Sequence, residues 1–230
     1  MTELSAEAPR QKTFLLAAHE ARVLTWIAER LPARVLPDHL TAIGVLAALA
    51  IAVTYVLANE ASGWLIAGAA LLVVQWLGDS LDGTLARTRK IERPRYGYYL
   101  DHLVDAISTA LIGIGLGLSP HLLLSTGLLI VVVYLVMSIN TYLETSVFSV
   151  FELGYGRFGP TEARLALIAM NVTMALGAGM GFTFLGVGIT VLDVVAWVVA
   201  GGMLAALGFR AAKNLRTLSA AEPPATPRVA

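Results

Sequence analysis

Residues 63–85 read GWLIAGAALLVVQWLGDSLDGTL, an apolar run long enough to cross a bilayer that nevertheless closes on two carboxylates, Asp79 and Asp82. A spanning helix needs about 20 mostly apolar residues. An aspartate within one costs at least about 2.5 kcal/mol even on the lenient insertion scale. Carboxylates placed there against that cost point to a use for them.

Five more stretches qualify as spans: Leu40 to Leu57, Tyr98 to Leu118, His121 to Tyr142, Glu162 to Gly181 and Thr190 to Phe209. Composition agrees, because 57% of the 230 residues are hydrophobic, only 14% are charged, and the mean hydropathy is +0.74. A soluble domain of this size could not hide so much apolar surface in one core. The expected fold is therefore all-α and integral to the membrane, a six-transmembrane-helix bundle. Ahead of it, Leu15 to Val35 places Val23, Trp26, Ile27 and Leu31 on one face and most of its charges elsewhere, the pattern of an N-terminal interfacial amphipathic helix. Pro37 ends that helix. The expected division is residues 1–36 as tail and interfacial helix, 37–213 as the six-span domain, and 214–230 as a disordered tail rich in Ala and Pro.

Net charge is zero, which offers no argument for nucleic-acid binding, and the absence of cysteine excludes disulfides, thiolate metal sites and a cysteine nucleophile. The distribution of charge says more. The connections at 59–62, 119–120 and 182–189 carry no Lys or Arg, so all sixteen basic residues fall on the other side of the expected bundle. The positive-inside rule makes that side cytoplasmic, with both termini there. No secretory signal is evident, and no internal repeat of the kind many transporters carry.

The chemistry concentrates in Asp79-Ser80-Leu81-Asp82-Gly83-Thr84-Leu85-Ala86-Arg87 and, after nine residues, Gly97-Tyr98-Tyr99-Leu100-Asp101-His102-Leu103-Val104-Asp105. At about 100° per residue, Asp79, Asp82, Gly83 and Ala86 share one helix face, and Gly97, Asp101 and Asp105 share another. A short link makes the second and third spans expected antiparallel neighbours. Asp79 and Asp105 then lie at similar depth, about 12 Å in at 1.5 Å per residue, so all four carboxylates can converge. Hard divalent cations prefer oxygen ligands, and Mg²⁺ is commonly shared between carboxylates and substrate phosphates. One or two Mg²⁺ or Mn²⁺ ions would neutralise such a cluster. Gly83 and Ala86 let a ligand approach the helix closely, and Arg87 offers a planar fork for phosphate or an anchor at the membrane boundary.

These residues resemble the signature of the CDP-alcohol phosphotransferase family, Asp-x2-Asp-Gly-x2-Ala-Arg, a spacer, then Gly-x3-Asp-x3-Asp. The spacer here is one residue longer than the family's eight. The resemblance implies a six-span, commonly homodimeric membrane enzyme that moves a phospho-alcohol group from a CDP-linked donor to an acceptor hydroxyl of a lipid or polyol, releasing CMP. It implies metal ligation by Asp79, Asp82 and Asp101. Asp105 would hold a second metal or deprotonate the acceptor, and Asp79, Asp82, Gly83, Ala86 and Arg87 would form the nucleotide side. His102, about 60° around the helix from Asp105, is the other candidate base. Pro37-Asp38-His39-Leu40-Thr41 resembles the family's Pro-Asn-x-x-Thr entry, with Asp38 in place of Asn, which adds Asp38 and Thr41 to the candidates. Gly97, Glu162 and Arg164 complete them.

Asp101-His102-x-x-Asp105 and Gly159-Pro160-Thr161-Glu162 are similar to stretches of choline and ethanolamine phosphotransferases. The preferred expectation is accordingly a CDP-choline- or CDP-ethanolamine-like donor with a diacylglycerol-like acceptor. The alternative within the family is a CDP-diacylglycerol-dependent synthase of the phosphatidylinositol-phosphate or phosphatidylglycerol-phosphate type. From other classes, a divalent-cation transporter or a non-catalytic scaffold remains. Asn140, Tyr142 and Glu144, near the cytoplasmic end of the fourth span, read as boundary residues or as groups facing the acceptor.

Overall fold

The computed structural model describes residues 16–148, 159–177, 181–184 and 186–222. The elements run α1 (Ala17–Ala28), α2 (Pro37–Leu57), α3 (Trp64–Arg89), α4 (Pro94–Gly117), α5 (Leu124–Phe148), α6 (Pro160–Ala175), β1 (Gly181–Phe184), β2 (Val187–Thr190) and α7 (Val191–Ala221). Among the described residues five helices, α2, α3, α4, α5 and α7, are long and apolar enough to cross a membrane. Their outward faces carry exposed Leu46, Leu49, Val53, Val132, Ile139 and Val198. Surfaces of that kind suit lipid and not water.

The bundle is organised around α2 and α3, which make the most extensive helix pair. Small residues set their separation. A Cβ added at Gly78 would come within 2.6 Å of the Gly44 amide nitrogen and 2.8 Å of the Leu40 carbonyl oxygen. Backbone meets backbone at this point, as small residues allow between membrane helices. Buried Ala47, Ala48 and Ile51 continue the seam on α2, and Leu72, Gln75 and Leu81 on α3. Further along, Ile51, Tyr55, Leu65, Leu72, Leu116 and Met174 join four helices into one apolar cluster.

α4 leans on α2 and α5, α6 on α3, and α7 on α5. The expectation that the second and third spans pack against each other is corrected here, because the α3 and α4 backbones hardly touch. α2 supports both, and its close seam with α3 leaves a gap between α3 and α4 on the far side. Nor does the link between α3 and α4 span the full motif spacer: it covers only 90–93, with Lys90 in the left-handed region at φ 56° and Pro94 opening α4.

Three further boundaries differ from the sequence expectation. α1 stops at Ala28, well before Pro37, because the segment after it is held in a turn by Arg89. That guanidinium donates to the carbonyls of Leu31 (2.9 Å), Pro32 (2.9 Å) and Val35 (2.6 Å), which a continuing helix would use itself. α6 spans 16 residues and ends at Gly177, whose φ of +82° terminates a helix readily. The all-α expectation holds, with one short addition: β1 and β2 form an antiparallel hairpin with Phe182 opposite Ile189. Phe182, Thr183, Phe184, Val187 and Ile189 favour strand, and Gly186, at φ +81°, supplies the turn.

A reciprocal cap joins the hairpin to α7, since the Asp193 amide donates to Thr190 Oγ1 (3.2 Å) and the Thr190 amide to Asp193 Oδ2 (2.9 Å). Asp193 also accepts from the Leu123 amide at 3.0 Å, tying the α4–α5 link to the start of α7. α7 then runs to Ala221, so residues 214–221 are helical and not part of a disordered tail. The remainder of that expected tail, 223–230, lies outside the described residues.

The seam makes a stability prediction. Gly78→Ala forces a methyl into backbone atoms and is expected to lower stability by about 1–3 kcal/mol. Gly63→Ala, with nothing within 4 Å of the added atom, leaves the unfolding midpoint unchanged. Thermal unfolding of the two variants in detergent checks this, and equal midpoints would remove the seam from its organising position.

Candidate active site

Asp79 and Asp82 stand near the end of α3 and Asp101 and Asp105 near the start of α4, on either side of the 90–93 link. The close α2–α3 contact brings Thr41 to Asp82, and the Thr41 hydroxyl donates to Asp82 Oδ2 at 2.6 Å. The Gly83 amide donates to the other oxygen at 2.5 Å. From α6, Arg164 reaches across to α3, where Nη2 donates to Asp79 Oδ2 at 2.5 Å and Nε to Gln75 Oε1 at 2.9 Å. Both members of the Arg164–Asp79 ion pair are only 16% exposed. A charged pair withdrawn that far from water keeps its strength better than a surface pair.

Asp82 lies within electrostatic range of Asp79 and Asp101, while Asp105 lies within range of Asp79, Asp101 and Arg164 and within hydrogen-bonding reach of Asp79. The carboxylates bridge a gap that the α3 and α4 backbones leave open. As they stand, however, no three His, Asp or Glu side chains among the described residues form a ready ligand set for a metal. The reason is visible in the bonding, because Arg164 holds Asp79, and Thr41 and Gly83 hold Asp82.

The residues nonetheless fit a hard divalent cation. Every donor is oxygen, as Mg²⁺ and Mn²⁺ require. Two carboxylates as close as Asp79 and Asp105 repel each other, and positive charge between them relieves that repulsion.

The glycines of the motif point the same way. A Cβ at Gly97 would have nothing within 4 Å, and one at Gly83 would meet only the Arg87 side chain, its guanidinium at 3.3 Å. Packing within the chain therefore explains neither glycine, whereas close approach of a ligand explains both. Arg87 itself is exposed and folds back over this surface, donating to Thr84 Oγ1 at 3.3 Å. Ala86 is half-buried on the same face.

Other candidates have different positions. Asp38 pairs with exposed Arg93, which also stacks over Tyr96 at 3.9 Å, so its carboxylate belongs to the link between helices. Glu162 accepts from the Gly159 amide (2.9 Å) and the Leu16 amide (3.1 Å), closing the start of α6 onto the N-terminal segment. His102 Nδ1 lies 2.7 Å from the Tyr98 carbonyl oxygen, which only accepts, so the neutral ring carries its proton on Nδ1. The His102 ring packs on Tyr98 at 4.1 Å and edge-on to Tyr142 at 4.8 Å. Glu144, read as a boundary residue, is buried and paired with Arg210 at 2.5 Å between α5 and α7. Sequence reasoning missed Gln75 as the partner of Arg164. The signal was its place one turn before Asp79 on the same face.

Comparison with known proteins supports the same reading. The profile of the CDP-alcohol phosphatidyltransferase family matches residues 34–200, and the chain belongs to that family. It is 40% identical over 92 residues to the archaetidylinositol phosphate synthase of Methanothermobacter thermautotrophicus, a match covering 40% of this chain and 44% of that protein. The chain thus spans under half the length of that relative. The crystal structure of the Mycobacterium tuberculosis phosphatidylinositol phosphate synthase with CDP-DAG bound is similar over 91% of this chain and 99% of that one. Its TM-score is 0.59 at 25% sequence identity.

By name one relative is an archaetidylinositol phosphate synthase and the other a phosphatidylinositol phosphate synthase, and the solved one holds CDP-DAG. These relatives point to the CDP-diacylglycerol alternative rather than to the preferred choline- or ethanolamine-type donor. The two stretches behind that preference have local explanations, since His102 is fixed between Tyr98 and Tyr142, and Pro160 and Glu162 start a helix.

Gly83→Leu is expected to fold, because only the movable end of Arg87 stands in the way, yet to raise the KM for a CDP-linked donor by about tenfold or more. Donor titration on protein of verified thermal stability checks this. An unchanged KM would remove Gly83 from the nucleotide side.

Proposed function

We propose that this chain is a metal-dependent phosphotransferase that moves the phosphatidyl-type group of a CDP-linked lipid onto a hydroxyl of a polyol phosphate and releases CMP. The observation that supports the reading is the electrostatic proximity of Asp82 and Asp105 to Asp79 and Asp101 across the α3–α4 gap, beside two motif glycines at which an added Cβ would meet no backbone. The CDP-DAG-bound relative supports the donor, and the names of both relatives support the acceptor class.

In this reading Asp79, Asp82 and Asp101 hold the metal, with Asp105 beside them. When bound, the ion supplies positive charge against the pyrophosphate oxygens, the main requirement of phosphoryl transfer. Thr41 orients Asp82, and Gly83, Ala86 and Arg87 form the cytidine side. Asp105 takes the proton of the acceptor hydroxyl. The acceptor oxygen bonds to the phosphorus farther from cytidine as the bond from that phosphorus to the bridging oxygen breaks, and CMP leaves with the bridging oxygen. Arg164, a planar fork already aimed at the cluster, receives the acceptor's phosphate and thereby frees Asp79.

The same proposal includes the membrane arrangement. α6 completes six spans with α2 to α5 and α7. α1 lies at the interface, docked on α3 through Glu20, which accepts from Trp76 Nε1 at 3.1 Å. The basic residues of the 87–95 stretch lie beside the 90–93 link, which supports a site facing the cytoplasm. The functional unit is a homodimer, as the family resemblance implies.

The decisive assay is CMP release by purified protein in nanodiscs. Turnover is expected with CDP-diacylglycerol plus inositol phosphate or glycerol phosphate, lost in EDTA and restored by Mg²⁺ or Mn²⁺. Turnover only with CDP-choline or CDP-ethanolamine and diacylglycerol would overturn the donor assignment. Asp105→Asn is expected to lower the rate by about 10²–10⁴-fold, the range for loss of a general base, while the protein stays folded. A near-native rate would exclude Asp105 as the base.

A further inference from the structure

The motif accounts for the α3 and α4 sides of the gap and leaves the face of α5 that looks onto α4 unassigned. That face carries Tyr134, Ser138 and Tyr142, four residues apart and hence one above another on the helix. Tyr134 pairs with Thr109 of α4 and lies within electrostatic range of Asp105. Tyr142 lies within range of Asp105, Asp101 and Tyr98, interacts with Ser138, and takes the edge contact with His102 at 4.8 Å.

Hydroxyls inside an apolar helix need partners, and the short ones on α5 find them in their own backbone. Ser138 donates to the Tyr134 carbonyl at 3.0 Å, Thr141 to Met137 at 3.1 Å and Thr145 to Thr141 at 2.8 Å. A tyrosine hydroxyl stands too far from its own helix for that, so its polar end must be met from the side. For Tyr134, buried deeper, Thr109 meets it. Tyr142, half-buried nearer the link, is met by Ser138 one turn back on the same face, and its ring stands against His102 on the side of the site that carries Asp101 and Asp105.

We infer that the α5 face bearing Tyr134, Ser138 and Tyr142 is the acceptor wall of the site, and that Tyr142 determines acceptor specificity by engaging a hydroxyl of a polyol phosphate. The inference rests on the proposed reaction and assigns a residue outside the family motif to it. The cytidine side is defined by Thr41, Asp82 and Gly83 on α2 and α3, so a wall on α5 faces the opposite edge of Asp105, where an attacking hydroxyl has to arrive. Tyrosine suits a polyol, since its phenol both donates and accepts and its ring edge is already fixed by His102.

The test uses full-length protein in nanodiscs with CDP-diacylglycerol as donor and inositol phosphate as the varied acceptor. Tyr142→Phe keeps the ring against His102 and removes the hydroxyl. It is expected to raise the acceptor KM by about tenfold, the effect of one hydrogen bond of ordinary strength, with the donor KM within about twofold of wild type. Thr141→Ala, outside that face, loses a bond to its own helix and leaves both constants unchanged. An unchanged acceptor KM in Tyr142→Phe, or an equal rise in both constants, overturns the acceptor wall while leaving the proposed reaction intact. Failure of the wild-type protein to release CMP with inositol phosphate or glycerol phosphate sinks the proposed reaction, and the wall with it.

Discussion

The contact between Gly44 and Gly78 is the constraint from which the rest of the site follows. Two helices that approach until backbone touches backbone have almost no freedom to slide, because any residue larger than glycine at Gly78 would occupy the space of Gly44 and Leu40. Asp79 is the next residue along, and Thr41 and Asp82 meet one turn further towards the link. The carboxylates of α3 are therefore placed by atoms that have no chemistry of their own. α4, supported by the other side of α2, brings its pair of aspartates to the same depth without leaning on α3.

Electrostatics completes what packing begins. The acidic side chains share their space with Arg164, which pairs directly with Asp79 and lies within electrostatic range of Asp105. Carboxylates withdrawn from bulk water need such partners to stay charged. Their oxygen atoms are also the donors that a hard divalent cation prefers.

Much of this was legible in the sequence. The 63–85 run declared a membrane helix, the spacing of Asp79, Asp82 and Gly83 declared one face, and equal depth declared convergence. Those features depend on helical periodicity, which is local. What escaped depends on partners distant in sequence. The separation of α3 from α4 follows from how both fit α2, which no count of residues along the chain reveals. Arg89 ends α1 by binding carbonyls more than fifty positions away, a tertiary bond with no local signal. The hairpin at 181–190 was hidden because its strand-favouring residues are also apolar, and a short apolar run does not reveal its own conformation. The expected choline- or ethanolamine-type donor rested on stretches whose His102 and Glu162 look like ligands in one dimension, while in three dimensions His102 packs on aromatic rings and Glu162 accepts from backbone amides.

The dependence of both walls on a single helix makes tolerance to mutation uneven. α2 supplies none of the four acidic groups, yet a methyl group added against its inner edge, at Gly78 of α3 or Gly115 of α4, would push away a helix that carries two of them. On the outward faces of the same bundle, one branched aliphatic residue can replace another with little consequence, because lipid adapts to either. In laboratory evolution of a new substrate preference, variation would therefore be absorbed by the α5 side and the bilayer-facing surfaces, while the inner edge of α2 would stay almost fixed.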